Sequence, residues 1–123
     1  MEIKFIQQDF LKEGFLDLGM FDIIVSNPPY ISDSLVGEDF LNRLSYEPAT
    51  ALYPDDDDPD IFYKRIAFTA TGSLFPGAAC YMEMNEFRVE QIQSYFRDMK
   101  WASIESRKDL QGAERMLKAR VRI

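Results

Sequence analysis

The chain has 123 residues, a formal charge of −7, an apolar fraction of 46%, a single cysteine and no histidine. This suits one cytoplasmic domain around one core: no apolar run reaches the roughly 18 to 20 residues that span a bilayer, and no basic-then-apolar stretch marks a secretory signal. Cys80 alone allows no internal disulfide, the lack of histidine excludes imidazole chemistry or metal ligation by it, and the acidic balance argues against a nucleic-acid partner, whose binding rests on phosphate contacts.

Lys4 to Gln8 reads as a short strand. Phe21 to Ser26 is a compact apolar run of the kind found in a parallel strand covered on both faces. Residues 33 to 44 suit a short helix or lid, with Val36, Phe40 and Leu44 in one row. The acidic run Asp55 to Asp58 reads as a solvated loop that stops at a helix start: Asp58 can cap, Pro59 suits the first helical position, and Asp60 favours the positive helix end. A calcium loop would need a glycine and a terminal glutamate that this run lacks.

A helix is expected over Pro59 to Thr71, with Ile61, Phe62, Ile66 and Thr69 inward and Gly72 at its end. Pro76-Gly77 is a turn signal, and Ala78 to Met84 a second apolar strand. Asn85 can cap the next helix, whose inner stripe is Val89, Ile92, Phe96 and Met99. Trp101 to Arg107 is a strand and Asp109 to Glu114 a polar loop. In the last strand, Arg115 to Ile123, Leu117, Ala119, Val121 and Ile123 share one face. Arg107, Lys108 and Arg115, with alternating Lys118, Arg120 and Arg122, offer either a local RNA-binding patch or a solvated strand face. The order of elements gives an α/β fold, with a mainly parallel sheet and an antiparallel edge formed by the C-terminal hairpin.

The chemistry sits in Asn27-Pro28-Pro29-Tyr30, directly after the apolar strand. In open α/β sheets, ligands bind beyond the carboxyl ends of strands. Asn27 offers an amide oxygen and Pro28 a backbone carbonyl, while Pro29 has no N–H and stiffens the loop. Two fixed neighbouring acceptors can hold both hydrogens of a planar NH2 group, with Tyr30 against its face. Such a nitrogen is a poor nucleophile because its lone pair is delocalised. Holding its hydrogens aims it at an incoming methyl group and stabilises the positive charge that develops there. The alternative is a rigid turn, since Asn-Pro and Pro-Pro are turn formers.

The run from Phe21 to Ile31 resembles the N5-glutamine methyltransferases of peptide-chain release factors. Tyr46-Glu47-Pro48 with Ala51-Leu52, Phe62 to Ile66, Leu74 to Gly77, Tyr81 to Met84, and Arg107 to Gly112 with Arg115 are similar to successive segments of that family. Asn85 and Ala78 depart from it, standing where many relatives have glycine. The resemblance implies a partial Rossmann-like methyltransferase fold, with residues 1–123 as the C-terminal portion of the catalytic domain. It implies a release factor as partner, with the glutamine of its Gly-Gly-Gln loop as substrate, and S-adenosylmethionine as methyl donor. Asn27, Pro28, Pro29 and Tyr30 would act on the substrate amide, and Asp9, Phe10 and Asn27 would contact the donor; for Asp9 a plain cap is the competing role. Glu47 and Glu83 are read as structural.

The family's glycine-rich donor loop has no counterpart, since no two of the six glycines are close enough to form one. The expectation is therefore a fragment lacking the first two strands, inactive and nearly unable to bind donor alone. Its Phe21 to Ser26 strand would stand at a sheet edge, pairing with Lys4 to Gln8 or with a second copy. The rival functions are a nucleic-acid amino methyltransferase, which shares the tetrapeptide, and a non-catalytic interaction domain derived from the family.

Overall fold

The fold comes from a computed structural model that describes residues 2–13, 18–29, 58–99 and 101–123. Strand β1 is Phe21–Ser26. Gly19, at a φ of 100°, turns the chain into it, a conformation that a side chain would strain. Pro28 and Pro29 follow it, and neither has an N–H for a ladder. β1 runs parallel to β2 (Leu74–Glu83), with Ile24 opposite Cys80 and Ser26 opposite Met82. β3 (Ser103–Lys108) and β4 (Glu114–Arg120) form an antiparallel hairpin. The strand order is β1-β2-β4-β3, so three strands point one way and β4 runs against them, inside the edge that β3 forms.

A short helix α1 (Phe10–Glu13) precedes the sheet. Helices α2 (Ile61–Thr69) and α3 (Val89–Arg97) pack on one face. That face carries Ile24, Cys80, Met82, Leu117 and Ala119, all buried. Alternation along each strand puts them on one side, and the register brings them together across strands. Ile92 and Phe96 meet them from α3, with Val89 and Met99 partly buried beside them, as the sequence stripe predicts. The Trp101 ring lies 5.5 Å from Phe96, and its indole N–H donates to the Ala67 carbonyl. Each large side chain fully buried here contributes roughly 1.5–3 kcal/mol.

A charged cluster joins the two helices. Asp60 is fully buried, and its carboxylate accepts Arg88 Nε and Nη2 and the Tyr95 hydroxyl, each at 2.6 Å. The hydrogen bond to Asp60 raises the guanidinium pKa of Arg88. Burial, and then the same carboxylate, push Tyr95 up. Asp58 shapes the chain before α2, its Oδ1 accepting from the Asp60 N–H.

Several expectations are corrected. Lys4 to Gln8 is not a strand and does not pair with β1; Ile3, Phe5 and Ile6 are exposed. Its local pattern suits extended backbone, but a strand exists only where a ladder partner is in reach. Among the described residues β1 is covered on one face, not two: Ile23 is 59% exposed and Val25 77%. The inward row of α2 is Tyr63, Ile66 and Ala67, with Ile61 and Phe62 only half-buried. Helix α2 starts at Ile61 and passes through a 3-10 turn, Ala70–Ser73, into β2. Pro76-Gly77 does not end a strand: it lies inside β2, in a bulge of residues 75–78 facing Asp22 alone. There Pro76 withholds its N–H, and Gly77 takes a φ of 82°. Ile123 lies beyond β4 and is exposed. The helix or lid expected over residues 33–44, Asp55 to Asp57, and the Tyr46-Glu47-Pro48 segment with Ala51-Leu52 fall outside the described residues.

Candidate functional site

Asn27 follows the last residue of β1, and the register Ser26–Met82 sets it beside Glu83, the last residue of β2. Both stand at the carboxyl ends of parallel strands, where α/β sheets bind ligands. The Asn27 side chain is exposed and makes no hydrogen bond to another described residue. Pro28 is buried and Pro29 half-buried, so the loop after Asn27 is anchored by packing while the amide stays accessible. Tyr30 lies outside the described residues.

A cavity of about 490 Å³ opens on the sheet face away from the helices, and Val25, Asn27, Tyr81, Glu83, Arg107 and Lys118 help to line it. Parity explains the membership. Val25 pairs with Tyr81, Tyr81 with Lys118, and Lys118 with Glu105, so their side chains share the uncovered face. Lys118 Nζ leans over the Tyr81 ring, 5.6 Å from its centroid.

Arg115 braces the rim. Its Nη1 lies 3.6 Å from Glu83, its Nη2 3.5 Å from Glu86, and its Nε 3.4 Å from Asp109. One guanidinium thus ties the end of β2, the turn after it and the β3–β4 loop. From the other side of the sheet, the Tyr63 hydroxyl accepts from the Asn85 N–H, and Asn85 Oδ1 accepts from Phe87 N, so Asn85 caps the 3-10 turn Glu86–Arg88 that leads into α3 and not, as expected from sequence, α3 itself. The structural role expected of Glu83 agrees with its pairing to Arg115.

Of the sequence-predicted donor contacts, Asn27 stands at the end of β1, while Asp9 and Phe10 lie at the start of α1. Asp9 Oδ1 accepts from the Leu11 N–H at the start of α1, and Phe10 stacks on Phe62 of α2 at 6.5 Å between centroids. The cap weighed for Asp9 is therefore present, with Oδ2 unengaged among the described residues. The basic residues separate into two groups. Arg115 is committed to three carboxylates and Arg120 Nη1 donates to the Gly77 carbonyl, whereas Arg107 and Lys118 line the cavity. Tyr81 and Lys118 were not legible as site residues. Their strand parity was readable, but the insertion of β4 beside β2, which brings them together, was not.

No family model matches the chain. The release factor glutamine methyltransferase of Flavobacterium psychrophilum is 34% identical over 122 residues, 99% of this chain and 42% of that protein. Its counterpart in Bacteroides thetaiotaomicron is 33% identical over 118 residues, 96% of this chain and again 42% of that protein. A crystal structure of a methyltransferase from Pyrococcus furiosus shares the fold, with a TM-score of 0.56 at 20% identity over 85% of this chain and 43% of that one. The chain spans 42% of the length of these two curated relatives. Over nearly its whole length it is similar to the C-terminal part of release factor glutamine methyltransferases.

Proposed function

We propose that the chain supplies the amide-holding part of a cytoplasmic, S-adenosylmethionine-dependent enzyme that methylates N5 of a release-factor glutamine. The observation that carries this reading is the exposed Asn27 amide at the carboxyl end of β1, followed by a packed double proline, in a chain similar to this family. The Asn27 side-chain oxygen and the Pro28 carbonyl accept the two N–H groups of the glutamine amide, and Tyr30 lies on its face. The amide nitrogen is thereby aimed, and the positive charge developing on it is stabilised.

S-adenosylmethionine, when bound, supplies an electrophilic methyl group. Asp9, Phe10 and Asn27 are the residues of this chain proposed to hold it. A carboxylate with one oxygen open among the described residues, an aromatic ring and an exposed amide fit part of such a group. The unpaired outer edge of β1 among the described residues, with Ile23 and Val25 exposed, supports association of two copies, which light scattering tests.

The functional test is transfer of a labelled methyl group. The chain is combined with the N-terminal portion of the Flavobacterium relative and offered a release factor or nucleic acid. Label is expected on the release-factor glutamine and is lost with Asn27→Ala. Label on nucleic acid would overturn the reading in favour of its rival.

A further inference from the structure

The cavity beside Asn27 carries two cations that the amide grip does not use. Arg107 closes one side of it, from the end of β3. Lys118 reaches in from β4 and leans over Tyr81, toward β2, although Glu105 faces it in the ladder on the other side. Neither cation has an ion pair within 4.0 Å among the described residues, in a chain whose net charge is −7. Glu83, the carboxylate in the same cavity, is already engaged by Arg115. The floor is apolar, formed in part by Val25, Tyr81 and Met116, of which Val25 is 77% exposed.

We propose that this cavity is a specificity subsite for the polypeptide substrate. It takes an apolar side chain on its floor and pairs a neighbouring substrate carboxylate with Arg107 and Lys118. The inference rests on the reading of Asn27 and Pro28 as the amide grip, and it adds what must flank that amide. A carboxylate suits the site better than a phosphate backbone. A nucleic-acid strand needs a run of free cations, and here Arg115 and Arg120 are turned to other partners while Glu83 and Glu105 stand beside the two that remain. One carboxylate close to two unpaired cations meets no such requirement for length.

The test uses the 123-residue chain, labelled with nitrogen-15. It is titrated with a short peptide holding a glutamine, a leucine and a glutamate, and with the same peptide carrying alanine for the glutamate. The glutamate peptide is expected to shift the amide signals of Tyr81, Arg107 and Lys118. The double variant Arg107→Glu with Lys118→Glu should bind it roughly tenfold more weakly, and the alanine peptide should not distinguish the two proteins. Both residues are at the surface of the sheet, and the spectrum reports whether the variant folds. If it does not, Arg107→Gln with Lys118→Gln should show the same loss in smaller measure.

Equal affinity for the two peptides overturns the subsite, as does absence of any shift or no loss on charge reversal. A single-stranded RNA that binds the chain and is released by the same reversal also overturns it. Replacing the peptide glutamine by norvaline reports separately on the amide grip. If the glutamate dependence persists while the glutamine makes no difference, the subsite stands and the glutamine reading falls; the opposite pattern removes the subsite alone.

Discussion

The two faces of the sheet use neighbouring residues of the same strands for opposite purposes. Cys80 and Met82 point to α2 and α3 and are buried, whereas Tyr81 between them is on the uncovered face and lines the cavity with Asn27. In β4, Leu117 is buried in the core while Lys118 and Met116 belong to the open side. One face holds the fold and the other carries the proposed site, so strand parity decides which property a substitution alters.

The largest stability effect is expected on the helix side. Arg88→Met strands the Asp60 carboxylate, whose side chain is 1% exposed, and should cost about 3–5 kcal/mol. Urea unfolding followed by Trp101 fluorescence measures it. A cost near zero would mean that Asp60 is not a buried, compensated charge. Within one sheet, Leu117→Ala should cost about 2–5 kcal/mol. Val25→Ala on the open face should stay within about 1 kcal/mol. Equal losses would erase the distinction between the faces.

The third effect depends on pH. Burial pushes the Cys80 thiol up to about 12. An unfolded thiol ionises near 8.5, so between these values only the unfolded chain gains from losing the proton. Stability is therefore fully present below about pH 8.5 and should fall by about 1.4 kcal/mol per pH unit above it. Unfolding curves for the parent chain and Cys80→Ala, compared from about pH 8 to about pH 10.5, should diverge by that slope. Parallel curves would place Cys80 in a wetter site than the covered face provides.

Much of this arrangement was readable from local pattern. β1 matches its predicted span end for end, because an apolar run is framed by Gly19 and a double proline. The α3 stripe, and the hairpin with buried Leu117 and Ala119, were likewise present in spacing alone, whereas Asn85 caps the 3-10 turn Glu86–Arg88 that leads into α3 and not α3 itself. What failed required knowledge of neighbours. The bulge at Pro76-Gly77 depends on the register against β1, and the failure of Lys4 to Gln8 to form a strand on the absence of a ladder partner among the described strands. The inward place of Tyr63 depends on which side of α2 meets the sheet. Asp60 was placed at a helix start, but its burial follows from Arg88 and Tyr95 arriving from elsewhere in the chain. At the site, the position of Asn27 after β1 was legible, while its neighbourhood of Tyr81, Glu83 and Lys118 came only with the strand order.

The smallest stability effect and the largest functional one should coincide at Asn27. Asn27→Ala should change stability by no more than about 0.5 kcal/mol, since the side chain is exposed. The most direct test of the amide clasp follows the side-chain NH2 signals of Asn27 in the labelled chain during titration with a Gly-Gly-Gln peptide. Those signals should move with the primary amide and stay still with its N5,N5-dimethyl analogue, which has no hydrogens to give. Equal movement with both peptides, or none with either, would contradict a site built to hold a planar NH2 group.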